Sequence, residues 1–251
     1  MFIETGKIVT KYEHYSINDV RKSSARELFT VVSTFAGGGG SSTGYRLAGG
    51  KVIASNELVE EAIKTYVDPL NLKKDARILD VGCDTGAFLD IMKNKGYTNM
   101  TGITLSEKNA KDIRGRGHDV KGYDFSFLPQ QDGYIDESVD FIFLRHTLHH
   151  SPYPIFSLVE YNRVLKQGGM MYIEVPAPDC ARKHEYNLNH YSVLGIRQLD
   201  ALLNRTGFRV EKFNDIEFQL TMQDNDTKET NTVDEKYYAI LVTKTNPLDI
   251  K

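Results

Sequence analysis

Arg77-Ile78-Leu79-Asp80-Val81-Gly82-Cys83-Asp84-Thr85-Gly86-Ala87-Phe88 decides how this chain is read. An apolar run ends in an acid and a glycine. Small and polar residues follow, then a second glycine before a helical stretch. The pattern predicts a strand that turns into a helix through a loop with little side-chain bulk. Gly82 and Gly86 are expected to let the backbone pass close to a ligand at the mouth of a parallel sheet. The helix starting near Gly86 aims its unpaired N–H groups at the same place.

Outward from this loop, strand-like and helix-like segments alternate. Residues 77–81 read as a strand and 87–95 as a helix. Strands are expected at 99–105, 119–123 and 138–144, the last a continuous apolar run of the buried kind. Helices are expected at 107–116, 155–165 and 196–206. Lys166-Gln167-Gly168-Gly169 reads as a helix stop. Residues 170–175, 208–214 and 236–245 complete the strands, and 223–235 read as a polar, mobile loop. Repeated strand–helix pairs imply a parallel sheet with helices on both faces. Ligands of such sheets sit beyond the carboxyl ends of the strands, near the point where strand order reverses.

The gross numbers set limits. With 251 residues the chain is long enough for one large domain plus an extension. Lys+Arg 31 against Asp+Glu 34 gives a net charge of -3, which does not suggest a surface built for duplex nucleic acid. The only cysteines are Cys83, inside the glycine loop, and Cys180. A disulfide framework is therefore not expected, and a reducing, cytoplasmic compartment is. Neither a signal peptide nor a membrane-spanning apolar run is expected.

Four pieces in order and spacing carry a resemblance. They are Leu79–Gly86, then Gly102-Ile103-Thr104-Leu105-Ser106, then Asp124 to Leu128-Pro129 with Val139-Asp140, then His149-His150 leading to Arg163–Gly169. With them, residues 72–245 resemble the class I S-adenosylmethionine-dependent methyltransferases, in the branch acting on small molecules and lipids. The resemblance implies a Rossmann-like, doubly wound, mostly parallel seven-stranded sheet. It implies S-adenosyl-L-methionine as cofactor, with the amino-acid end and ribose near Asp80, Gly82, Cys83 and Gly86. Asp80 then anchors the loop or the ammonium group, or merely caps the next helix. Asp124 aligns with the acid that accepts from the adenine amine, and Phe125 follows where a backbone N–H reaches the ring. Leu144 and Arg145 are expected to face the methionine part. Thr104 and Leu105 lie at the end of the second strand, where most members carry Asp or Glu on the ribose hydroxyls. A hydroxyl makes a weaker contact than a charge-assisted bond, so weak cofactor affinity is expected unless Ser106 or Glu107 compensates.

Methyl transfer is an in-line displacement at carbon, so alignment and exclusion of water are the main tasks. A base is needed only if the acceptor must lose a proton. His146 and His149, just past the fourth strand, are the candidate catalytic residues, since histidine titrates in the right range. The alternative is that these histidines are a structural corner. The spacing of His146, His149 and His150 also suits a zinc site, but no further ligand is evident in the sequence, so no metal is expected. Residues 180–191, with His184, Tyr186, Asn189, His190 and Tyr191, read either as a pocket wall closing over the acceptor or as a polar surface loop.

The first residues have their own signal. Residues 29–45 read as a strand followed by a glycine loop, with Gly37–Ser42 as a plain flexible linker the alternative, and residues 48–57 read as a second strand ending in Glu57. A helix over 58–66 follows. Residues 25–67 resemble the start of the DNA cytosine-5 methyltransferases, with Glu57 on the ribose. The nucleophilic cysteine of that family has no counterpart, since Cys83 and Cys180 lack its Pro-Cys context. Two domains are expected, residues 1–68 as an extension and 69–251 as the methyltransferase domain. The extension docks, forms a homodimer contact or is partly disordered. The acceptor is expected to be small or lipid-like, with nucleic acid not expected for this chain alone. The rival expectations are a non-catalytic cofactor-binding regulator, and a DNA-modification component completed by another chain.

Overall fold

The computed structural model describes residues 59–245 except 123, 179, 182 and 224–229, together with four short strands nearer the amino terminus. The chain divides into two compact units, Met1–Glu57 and Leu58–Lys251. In the first unit, Phe2–Glu4 pairs antiparallel with Lys7–Val9, and Phe29–Val31 pairs parallel with Gly50–Val52. The Gly37–Ser42 loop and Glu57 lie outside the described residues.

The expected boundary at residue 68 falls inside the second unit. Residues 59–62 form a helical turn that continues as the π-helical turn Ile63–Val67. Ile63, Tyr66 and Val67 are buried there in a cluster with Ile78, Phe88 and Tyr172. The Tyr66 and Tyr172 rings lie 4.7 Å apart, and Asn214 Nδ2 donates to the Tyr66 hydroxyl at 2.6 Å. An apolar stripe already committed to this core begins the unit ahead of the predicted boundary.

The second unit is a seven-stranded sheet: β1 Ile78–Val81, β2 Met100–Ile103, β3 Asp119–Lys121, β4 Val139–Arg145, β5 Leu165–Pro176, β6 Phe208–Gln223 and β7 Thr230–Lys244. Its order is β6-β7-β5-β4-β1-β2-β3. Only β7 runs antiparallel to its neighbours. Four helices connect the strands: α1 Ala87–Asn94, α2 Glu107–Gly115, α3 Pro154–Val164 and α4 Ile196–Arg205. Strand order reverses between β1 and β4, so the glycine loop opens at the switch point.

Both faces of the sheet are covered, as alternation within the strands requires. Ile142 and Leu144 of β4 belong to the core shared with α3 and α4. Phe141 and Phe143 belong to the core shared with α1 and α2. Each such side chain contributes about 1.5–3 kcal/mol on full burial.

α3 ends at Val164, in keeping with a helix stop at Lys166–Gly169, and β5 is counted from Leu165; its pairing with β4 shifts register across these four residues, from Val139↔Leu165 to Phe141↔Met170. One expectation needs correction. Residues 223–235 are not one loop. β6 and β7 form a continuous antiparallel hairpin from Phe208↔Lys244 out to Gln223↔Thr230. Only Tyr237–Thr243 of β7 pairs with β5 as well. The outer half is a two-stranded ribbon without a third strand among the described residues. On β6 this half alternates Ile216, Phe218, Leu220 and Met222 with polar residues, while residues 230–235 are mostly polar and look like a loop in sequence.

Candidate active site

The glycine loop is held by its own backbone. Gly82 and Cys83 N–H groups both donate to the Ile103 carbonyl at 2.9 Å, and Gly86 N–H donates to Cys83 O at 2.7 Å. Gly82 and Gly86 have φ of 78° and 79°, where L side chains are strained. The direction a Cβ would take is informative. At Gly82 it would meet Thr147 Oγ1 at 2.0 Å, and at Gly86 it would meet Ile113 and Arg116 at 3.0–3.1 Å. Packing against the protein therefore requires glycine at both positions. Arg116 closes this packing by contacting Asp90 and the Thr85 carbonyl.

Asp80 lies one residue before the end of β1 and is buried. Burial first, then the charge of Asp84, pushes its carboxyl well above the ordinary 3.8, against the pull of Arg145. No side chain caps the start of α1, so its first-turn N–H groups add a partial positive pole beside these acids. A buried carboxyl with a second acid beside it suits a ligand that brings an ammonium group, and the amino-acid end of S-adenosylmethionine is such a group.

Other predicted contacts are redistributed. The Cys83 side chain is buried in the core, where burial raises its thiol pKa, so the loop offers backbone at this position. Leu144 is fully buried in the opposite core, so its side chain belongs to packing and not to a pocket wall. Leu105 is 67 % exposed. Asp124 is exposed, with Oδ1 accepting from the Ser126 N–H at 2.7 Å. The Phe125 carbonyl accepts from the Tyr161 hydroxyl at 2.9 Å, which fixes the backbone next to Asp124. The motif residues Asp140 and Arg163 are braces. Asp140 accepts from the Arg77 N–H, and Arg163 holds the Leu128 and Tyr134 carbonyls.

At the second strand, Thr104 Oγ1 accepts from the Ser106 N–H at 3.1 Å, and Ser106 Oγ caps α2 through the Asn109 N–H at 3.2 Å. Glu107 pairs with Arg114. Both suggested compensators therefore already have structural partners. Ser106→Ala should destabilise the fold by about 1 kcal/mol through loss of the cap. It should leave affinity for S-adenosylhomocysteine unchanged; chemical denaturation and calorimetric titration of the same variant separate the two effects.

The end of β4 carries a constellation that the sequence did not reveal. Arg145 pairs in register with Glu174 of β5. Glu174 Oε1 lies 3.0 Å from Arg145 Nε and 2.6 Å from His146 Nε2, and Oε2 accepts from the Tyr172 hydroxyl at 2.5 Å. Burial alone would raise this carboxyl, but Arg145, His146 and Tyr172 together hold it down at about 2. His146 adopts a φ of 52°, and its ring stacks on Tyr237 at 4.6 Å. Burial and then Arg145 lower its pKa, against the pull of Glu174, so the imidazole is neutral near pH 7. A carboxylate only accepts, so Nε2 carries the proton in the neutral ring. The next residue, Thr147, places its hydroxyl 3.0 Å from the Val81 carbonyl, which joins this turn to the glycine loop.

His149 is not part of that dyad. It lies in the 3-10 turn Leu148–His150, with ring centroids 4.1 Å from His150 and 4.4 Å from His190. His190 comes from the segment after β5, which His184 ties to Glu235 of β7 at 3.0 Å.

A switch-point glycine loop with a buried acid at its base and a carboxylate-held imidazole thus lie together at the carboxyl ends of β1 and β4. A methyltransferase-domain family model matches residues 55–212, and the chain belongs to that family, the class I S-adenosylmethionine-dependent methyltransferases. It is 27 % identical over 175 residues to the 27-O-demethylrifamycin SV methyltransferase of Amycolatopsis mediterranei, a match over 63 % of this chain and 64 % of that one. It is 31 % identical over 151 residues to the O-methyltransferase resE of Aspergillus sclerotiorum, over 55 % and 57 % respectively. The chain thus spans about three fifths of the length of these curated relatives. Solved structures share the fold. A SAM-dependent methyltransferase from Archaeoglobus fulgidus has a TM-score of 0.56 at 20 % identity, covering 76 % of this chain and 95 % of that one. The [4+2]-cyclase SpnF has a TM-score of 0.59 at 18 % identity, covering 76 % and 81 %. No helix among the described residues is long and apolar enough to cross a membrane.

Proposed function

We propose that this protein is an S-adenosylmethionine-dependent O-methyltransferase acting on a hydroxyl group of a small, largely apolar molecule. The observation that carries this reading is the His146–Glu174 dyad at the carboxyl end of β4, joined to the glycine loop through Thr147. When bound, S-adenosylmethionine supplies an electrophilic methyl group and leaves as S-adenosylhomocysteine. Asp80, the open start of α1 and the backbone at Gly82, Cys83 and Gly86 hold its amino-acid end and ribose. Thr104 and Leu105 flank the ribose, while Asp124 and the Phe125 backbone meet the adenine. His146 takes the acceptor's hydroxyl proton while Glu174 orients the ring and stabilises the imidazolium that forms. His149 lacks such a carboxylate, which favours His146 as the base. The exposed Tyr186, Leu188 and Tyr191, beside the histidine cluster, suit an apolar acceptor. Both curated relatives are named as O-methylating or O-demethylated-substrate enzymes, which favours oxygen as the accepting atom.

The test is methyl transfer from isotopically labelled S-adenosylmethionine to a panel of phenols and aliphatic alcohols, read by mass spectrometry. Labelled ethers are expected. His146→Asn should lower kcat by about a hundredfold or more, with unchanged affinity for S-adenosylhomocysteine. Glu174→Gln should lower kcat about tenfold or more with little change in KM, because it acts through His146. S-adenosylhomocysteine binding without label in any acceptor would sink this reading in favour of a non-catalytic cofactor-binding protein.

A further inference from the structure

We propose that His149, His150 and His190 form a binding site for one divalent transition-metal ion of the zinc class, clamping the segment after β5 onto the turn after β4. The inference does not rest on methyl transfer. One ring nitrogen from each of the three residues lies within 4.8 Å of the others. Two of these residues are adjacent, and the third arrives from forty positions further along the chain.

The backbone fixes this meeting. Ser192 N–H donates to the His149 carbonyl at 3.0 Å, and Ser192 Oγ donates to the Ser151 carbonyl at 2.6 Å. His150 Nδ1 lies 2.8 Å from the Asn189 carbonyl. A carbonyl only accepts, so that nitrogen carries the proton and Nε2 presents its lone pair. Metal-bound histidines are commonly oriented by such a hydrogen bond on the other ring nitrogen.

Two atoms in the cluster lack a ready explanation in the protein alone. His149 is 3 % exposed, and its buried Nδ1 has no hydrogen-bond partner among the described residues. His190 Nδ1 is in the same condition. Buried polar atoms are nearly always satisfied, and an ion is one way to satisfy them.

The donor set selects the ion. Three imidazoles and no carboxylate suit zinc, cobalt, nickel or copper, whereas magnesium and calcium need oxygen ligands. The nearby acids are committed elsewhere, Glu174 to Arg145 and His146, and Glu235 to His184 and Tyr237. Three protein ligands leave a fourth position for water or an exogenous group. Tetrahedral zinc with about 2.0–2.1 Å bonds spaces its donors about 3.3 Å apart, so binding draws the three rings closer together. His146, whose spacing with His149 and His150 first raises a zinc site, is turned to Glu174 instead, and His190 takes the third place.

The test is calorimetric titration of the full, chelator-treated chain with zinc chloride, with cobalt chloride in parallel for its tetrahedral absorption bands. One zinc per chain is expected, with affinity in the micromolar range or tighter, and no competition from millimolar magnesium. His190→Ala and His150→Ala, neither fully buried, should each weaken binding at least tenfold and abolish the cobalt bands. His14→Ala and Cys180→Ser should leave both unchanged. Non-saturable binding, or binding indifferent to His190→Ala and His150→Ala, overturns the proposal.

Discussion

Asp80→Asn should weaken binding of S-adenosylhomocysteine about a hundredfold while making the ligand-free protein more stable. The first effect follows from loss of a charge-assisted contact to the ligand's ammonium group, about 2–3 kcal/mol. The second follows from the carboxyl's setting. Its folded-state pKa lies above the ordinary 3.8, because of burial and Asp84. The folded chain therefore keeps a proton that the unfolded chain gives up. Stability tied to this group is complete below pH 3.8 and is lost as pH rises through the raised value. At neutral pH the buried carboxyl is a burden on the empty fold, and an amide of the same shape removes it. Thermal unfolding of wild type and variant should converge near pH 4 and separate at pH 8, the variant being the more stable. Titration with S-adenosylhomocysteine at pH 8 completes the test. Binding within threefold of wild type would show that Asp80 does not hold the cofactor.

Gly82→Ala should destabilise the fold by about 3 kcal/mol or more. At about 2–4 °C per kcal/mol for a domain of this size, Tm should fall by roughly 6–12 °C. The added methyl meets Thr147 Oγ1 at 2.0 Å and Cγ2 at 2.8 Å. Thr147 cannot swing away cheaply. It is buried, β-branched and set between the Val81 and Arg145 carbonyls. The positive φ adds about 1–2 kcal/mol of strain that no neighbour relieves. The pair Gly82→Ala with Thr147→Ala should therefore be more stable than Gly82→Ala alone, yet less stable than wild type. Simple additivity of the two single variants would show that the collision is not with Thr147.

Much of this architecture was legible because it is written in period and punctuation. The strands around Leu79, Ile103 and Phe141 and the helices between them follow from apolar runs bounded by glycine. The glycine loop was visible as a loop, but the reason for its glycines was not. Thr147 lies 65 residues away, and nothing local announces that it fills the space beside Gly82. Glu174 was missed for a similar reason. It is a single acid in the apolar run Met170–Val175, and its charged partner Arg145 and the His146 ring come from the end of β4 and the residue after it. Only the pairing register sets it opposite Arg145. A lone acid in an otherwise buried strand was the available signal, since such a charge needs a partner. His190 was read as part of a loop because the chain fold, and not its spacing, carries it to His149. Leu144 was assigned to the ligand by its place in a motif, whereas strand alternation already turned it toward α3.

The hairpin of β6 and β7 gives one strand two different lives. From Tyr237 to Thr243, β7 is laddered on both sides, so its amide protons should exchange only when the sheet itself comes apart. From Thr230 to Glu235 it has β6 alone among the described strands, and a two-stranded ribbon frays at little cost. Glu235 stands on the fraying side and holds His184, so the segment bearing His190 is moored to the part of the sheet that opens first. Loosening of that ribbon therefore need not disturb the strands that carry the glycine loop.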